Sequence, residues 1–145
     1  MRDLPRQLTA EELAGLFEGR TALVERLAAI DDPLGRADEI VAELTDEEKV
    51  EALAAHPAIG ARRLSPRSAA EQGTDADPAV LSELSYLNQV YEEKFGFRFV
   101  VFVAGRRKRE ILEVLRARIA RKREEELDTC CRELVAIARD RWTRT

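Results

Sequence analysis

Three groups of side chains in this sequence have types and spacings suited to chemistry. The single histidine, His56, stands at the end of an apolar-periodic stretch that Pro57 closes, because the residue before a proline is pushed out of the α region. At a helix C-terminus the negative end of the dipole favours imidazolium and draws the pKa toward neutrality, which suits a general acid. A surface or capping histidine would occupy the same position. Ser68, Glu71 and Gln72 fall at i, i+3 and i+4 of a short helix expected over residues 66–72, with Ser65 as N-cap, Pro66 at N1 and Gly73 as its stop. A carboxylate flanked by a hydroxyl and an amide offers hydrogen bonds to a polar ring, although an ordinary solvated helix carries the same residues. Arg141 shares one stripe of the last helix with Leu127, Cys130, Leu134 and Ile137. An inward guanidinium needs an anion or carboxylate beside it, since an unpaired buried charge is too costly, unless fraying releases it to solvent. Asn88 falls on the inward face of the preceding long helix and must hydrogen-bond either to backbone or to a ligand.

The rest of the composition excludes much. With 145 residues, 45% of them hydrophobic, the chain is sized for one domain, residues 1–145, with a real core. One histidine rules out multi-histidine metal sites, and the adjacent Cys130 and Cys131 are neither zinc spacing nor an unstrained disulfide, so they read as buried reduced thiols. No glycine-rich nucleotide loop occurs, so whatever chemistry the chain performs is expected to proceed without a nucleotide cofactor. No apolar run reaches the roughly 18 residues of a membrane span, and the N-terminus lacks an apolar signal segment, so the default expectation is a soluble cytoplasmic protein without membrane contact.

The elements that must position these residues are helical. Thr9-Ala10-Glu11-Glu12 and Thr45-Asp46-Glu47-Glu48 are capping boxes. Apolar periodicity predicts short helices through Leu23, Leu27 and Ile30 and through Ile40, Val41 and Leu44. It then predicts long ones over about residues 78–95, 108–121 and 124–142, the first stopped by Gly96. Residues 97–103 are the only strongly β-prone stretch and have no partner strand. They read as a buried extended segment, giving an all-α, single-domain multi-helix bundle with one such segment.

Charge is uneven. Residues 1–97 hold 10 basic and 20 acidic side chains, whereas residues 98–123 hold 10 basic and 2 acidic. Such a segment either binds a partner or pairs with the acidic helices. An overall charge of −4 and the lack of aromatic interleaving argue against nucleic acid.

The ordered set His56-Pro57-Ala58-Ile59-Gly60, Ser68-Ala69-Ala70-Glu71-Gln72-Gly73 and Leu87-Asn88-Gln89-Val90-Tyr91-Glu92-Glu93-Lys94-Phe95-Gly96-Phe97-Arg98-Phe99 closely resembles the 2-oxo-4-hydroxy-4-carboxy-5-ureidoimidazoline (OHCU) decarboxylase family. The resemblance implies an all-α fold, usually a homodimer, acting in urate catabolism to convert OHCU to (S)-allantoin and CO₂ without a cofactor. It implies His56 as catalytic acid, with Glu71 managing protons near the substrate hydroxyl and Arg141 binding the substrate anion. Pro57, Ser68 and Gln72 become substrate contacts, and Phe99, Val100, Val101, Phe102 and Val103 the extended segment whose backbone meets the ureido and ring amides. The departing carboxylate lies next to a ring C=N, a built-in electron sink that removes the need for a cofactor. Arg98 stands where the family has proline, which removes a fixed φ and brings a charge near the substrate mouth. A second reading keeps the fold without catalysis, as a helical module that binds a partner through the basic face from Arg106 to Arg123.

Overall fold

Thr9 and Thr45 each open a helix through a reciprocal cap. Thr9 Oγ1 accepts from the Glu12 N–H at 3.1 Å while the Glu12 carboxylate accepts from the Thr9 N–H at 3.0 Å, and Thr45 repeats the exchange with Glu48 at 3.1 and 2.9 Å. These caps begin α1 (Ala10–Phe17) and α4 (Asp46–Ala54). Between them lie α2 (Ala22–Ala28), capped by the Thr21 hydroxyl, and α3 (Ala37–Glu43). Asp77 caps α5 (Pro78–Phe95), whose N1 position is Pro78, and α6 (Lys108–Ile119) and α7 (Arg123–Arg144) complete the order. The computed structural model describes residues 3–59 and 77–144. Among these residues there are seven helices and no strand, as expected of an all-α bundle. The short helix expected over residues 66–72 lies outside them. None of the described helices is long and apolar enough to cross a membrane.

Several boundaries depart from the expected ones by one or two residues: α2 ends at Ala28 rather than Ile30, α6 at Ile119 rather than 121, and α7 runs from Arg123 to Arg144 rather than over 124–142. Helix α4 ends at Ala54, one turn before Pro57, so His56 sits in the turn beyond the C-cap Ala55. Gly96 does stop α5: its φ of +80° is left-handed, and its N–H returns to the Glu92 carbonyl at 2.8 Å.

Helix α7 is the spine. At 22 residues it extends about 33 Å, and it packs against α1, α3 and α4, while α5 packs on α6. Its inward stripe, Leu127, Cys130, Leu134, Ile137 and Ala138, is buried in the same core as Leu13, Phe17, Leu23, Leu27 and Leu53. Residues 97–103 thread between helices as extended chain, with Phe97, Phe99, Val100, Val101 and Val103 all buried. Four of the few aromatic rings meet there. Tyr91 lies 4.6 Å from Phe95 and 5.2 Å from Phe99, centroid to centroid, and 5.9 Å from Phe97. Contacts of this kind contribute about 0.5–1.5 kcal/mol each beyond area burial.

The basic segment turns its charges inward or onto neighbouring carboxylates. Arg123 reaches Asp46 at 3.2 Å, Arg109 reaches Asp77 at 3.2 Å, Arg116 pairs with Glu83 and Glu113, and Arg121 meets Glu126 at 2.7 Å. Arg106 folds back on the carbonyls of Phe102 and Val103. Of the two readings of the charge asymmetry, internal pairing is what the structure displays.

Candidate active site

His56, Pro57 and Arg141 come together with Phe99, Val100, Val101, Phe102 and Val103, although they belong to three segments far apart in sequence. With Ile59 and Ile137 they line a cavity of about 40 Å³. Each segment has a separate reason to be there. The turn after α4 carries His56 and Pro57, and two contacts hold it. Asn88 Nδ2 donates to the Ile59 carbonyl at 3.2 Å, and Arg98 donates to the carbonyls of Ala54 and His56. Arg98 also meets Glu92 at 3.1 Å. In place of a proline that would restrict φ, this chain thus fastens its extended segment to the histidine turn by a charged side chain.

Arg141 reaches the site because α7 remains helical to Arg144, and its side chain is only 2% exposed. Fraying does not release it. The carboxylate it needs is Glu18, 3.2 Å away, and its Nη1 donates to the Leu16 carbonyl at 3.0 Å at the C-terminal end of α1. Glu18 itself has a left-handed backbone, φ +65°, as the C-cap of α1. That conformation costs a non-glycine residue about 1–2 kcal/mol, and here it accompanies a carboxylate aimed at the buried guanidinium. The next residue, Gly19, allows the end of α1 to approach the end of α4, since a Cβ on it would lie 3.2 Å from that of Ala55. Helix α1 therefore brings Glu18 and the arginine it holds close to the histidine turn.

The environment reverses the charge state expected for His56. Its ring is buried, 4% exposed, and burial pushes its pKa from the ordinary 6.5 down to about 4; the Arg141 guanidinium adds to the effect, Glu18 opposes it, and Arg98 contributes further lowering. Desolvation and neighbouring cations outweigh the helix dipole, so the imidazole is neutral at pH 7 rather than poised as an imidazolium. Its Nε2 is buried and has no hydrogen-bond partner among the described residues, as is also true of Asn88 Oδ1. Ser68, Glu71 and Gln72 lie outside the described residues.

Behind the extended segment is a polar cluster that the sequence reading passed over. Glu126, fully buried, accepts from Tyr91 Oη at 2.6 Å, Arg118 Nε at 2.7 Å and Arg121 Nη1 at 2.7 Å. Arg118 Nη1 donates to the Val100 carbonyl at 2.9 Å and Nη2 to Cys130 Sγ at 3.1 Å, with the guanidinium 4.6 Å from the Phe99 ring centroid. A signal for it was present: Arg118 falls on the stripe of Ile111 and Leu115, and Glu126 on that of Cys130 and Leu134. No such signal marks Glu18, because its role depends on a backbone conformation and on a helix more than a hundred residues away.

A sequence model of the OHCU decarboxylase family matches residues 2–143. Among curated proteins, the chain is 26% identical over 153 residues to the uric acid degradation bifunctional protein PucL of Bacillus subtilis, covering 97% of this chain and 31% of that protein. It is 32% identical over 103 residues to 2-oxo-4-hydroxy-4-carboxy-5-ureidoimidazoline decarboxylase of Halalkalicoccus jeotgali, covering 68% of this chain and 58% of that protein. The chain thus spans about a third of the length of its bifunctional relatives. In fold it is similar to an OHCU decarboxylase crystallised in the presence of (S)-allantoin, with a TM-score of 0.77 at 23% identity, covering 92% of this chain and 96% of the other. A similar likeness, TM-score 0.67 at 24% identity, extends to a structure of (S)-allantoin synthase, of which it covers 47%. The match runs through the histidine turn, α5, the extended segment and the arginine of α7, and the chain belongs to the OHCU decarboxylase family.

Proposed function

We propose that this protein decarboxylates 2-oxo-4-hydroxy-4-carboxy-5-ureidoimidazoline to (S)-allantoin and CO₂ in urate breakdown, without a cofactor. The observation that carries the reading is the convergence of His56, Pro57, Arg141 and residues 99–103 on one cavity. The substrate combines a carboxylate, a polar ring and a ureido arm, and these walls offer a buried cation, a buried imidazole and an extended backbone. Arg141 receives the substrate carboxylate, and the backbone of the extended segment holds the ring and ureido amides. Pro57 packs against the ring, while Ser68, Glu71 and Gln72 supply its remaining hydrogen bonds.

The neutral His56 gives the proton step an order. In the free protein burial and Arg141 keep the imidazole unprotonated. A substrate carboxylate seated on Arg141 offsets that cation and favours proton uptake by His56. When the carbon–carboxylate bond breaks, its electron pair moves into the adjacent C=N and CO₂ departs, leaving an enol-like ring. The imidazolium has then lost its anion while Arg141 remains beside it, so its acidity rises as the ring becomes basic. It delivers its proton to one face of the ring carbon that bears the ureido group. Glu71 takes the hydroxyl proton as the carbonyl forms and returns it to the ring nitrogen that received the electron pair, so the single proton delivered by His56 balances the carboxylate lost as CO₂. General acid–base assistance of this type contributes about 10²–10⁴-fold, and fixing the ring against the walls adds an orientation effect of comparable or larger size.

The family's homodimer and a cytoplasmic location belong to the same proposal, and sedimentation at several concentrations tests the former. The function itself is tested by generating OHCU from urate in situ, adding the protein and following (S)-allantoin by circular dichroism. Accelerated formation of the S enantiomer is expected. Racemic product at the spontaneous rate removes the proposal.

A further inference from the structure

The backbone of the extended segment is divided between two sides. Val100 and Phe102 are engaged from within the protein. The Val100 carbonyl accepts from Arg118 at 2.9 Å, while the Phe102 N–H donates to Glu133 at 3.3 Å and its carbonyl accepts from Arg106 at 2.6 Å. In extended chain the polar groups of successive residues point to opposite sides, so those of Phe99 and Val101 are turned the other way. No hydrogen bond among the described residues uses them, and both residues line the cavity.

We infer that Arg118, gripped by the buried Glu126 carboxylate and bonded to the Val100 carbonyl, is a positioning residue for substrate binding that determines which backbone groups face the cavity. This rests on the decarboxylase reading and deepens it. Without the Arg118 bond the Val100 carbonyl is a buried acceptor in need of a donor, and rotation of the 99–101 peptides toward the cavity is one way to satisfy it. Such rotation would replace the recognition groups of Phe99 and Val101 with others. The guanidinium also lies against the Phe99 ring, so one side chain fixes both the peptide and the ring beside it. The cluster has little to offer stability that apolar residues of similar volume would not, since buried ion pairs are often replaceable by them without loss. Its value here is directional.

That contrast supplies the test. In the double variant Arg118→Met with Glu126→Leu the ion pair leaves as a unit, while Tyr91 Oη keeps Cys130 Sγ at 3.2 Å and Arg121 keeps Thr129 at 3.0 Å, and urea unfolding is expected to show a protein that still folds cooperatively. A purely structural role would then leave catalysis intact. Positioning instead predicts a rise in KM of at least about 10-fold, with kcat less affected and the pH profile unmoved, because backbone groups orient the ring and transfer no proton. Arg118→Lys is the second arm, keeping the charge beside Glu126 while losing the fork that spans Glu126 and Val100. It is expected to raise KM in the same direction, and it decides the question if the double variant does not fold. An unchanged KM in a folded variant overturns the inference alone. Absence of turnover in the unsubstituted protein instead takes down the decarboxylase reading and this inference with it.

Discussion

His56 offers the sharpest quantitative test, because it is the only histidine in the chain and its proton can be followed without ambiguity. The unfolded chain takes up a proton at this side chain as the pH falls through about 6.5, whereas the folded protein resists until about 4. Over that window the unfolded state binds more protons, so stability falls as the pH falls. Each pH unit between the two values is worth about 1.4 kcal/mol, and the full gap corresponds to about 3 kcal/mol, present above pH 6.5 and lost by about pH 4. Urea unfolding of the unsubstituted protein and of His56→Gln, measured across this range, isolates the contribution. Carboxylates such as Asp31 and Glu48, whose pKa values are lowered, titrate in both proteins and cancel in the comparison. The variant is expected to lose about 3 kcal/mol less than the unsubstituted protein. Proton NMR of the imidazole should place its midpoint near 4 in the free protein and higher when a small carboxylate ligand occupies Arg141. Equal acid slopes in the two proteins, or a midpoint at 6.5 or above without ligand, would refute the argument that burial and Arg141 keep this histidine neutral.

Other outcomes follow from the same geometry. His56→Ala and Glu71→Ala should each slow (S)-allantoin formation by at least about 10²-fold, read by circular dichroism, if both move protons. Arg141→Met leaves Glu18 partly buried without its guanidinium and should cost about 3–5 kcal/mol in urea unfolding together with most of kcat/KM. Gly96→Ala meets no atom within 4 Å yet imposes a side chain at φ +80°, so a loss of about 1–2 kcal/mol in urea unfolding is expected from backbone strain alone.

The fold was largely legible because its signals are local. Thr9 and Thr45 with their partner glutamates, Asp77 before Pro78, and Gly96 after Phe95 mark ends through chemistry that reaches no more than four residues. Where boundaries moved, as at Ala28 and Ala54, apolar periodicity alone did not mark the last helical residue. The inward faces of Arg141 and Asn88 were also readable from helical spacing, as was the buried extended segment from its run of Phe and Val. Arg118 and Glu126 were equally readable by position but passed for members of a charge pattern, since a stripe shows where a side chain points and not what it meets.

What the sequence determined by itself was therefore the menu of helices, the one extended segment and the residue types able to bind an anion and move a proton. The tertiary structure decided how those residues act on one another. It placed Glu18 against Arg141, through the left-handed end of α1, and it buried His56 beside that guanidinium. Local sequence argues for a charged histidine at a helix end, but the folded environment makes it neutral, because desolvation and nearby cations come from segments far apart in the chain. The same holds for the basic run of residues 98–123, whose partners Asp46, Asp77, Glu83, Glu92 and Glu126 become visible only once the helices are packed. Charge can be counted along a sequence, but electrostatic energy depends on distance and burial, which the fold supplies.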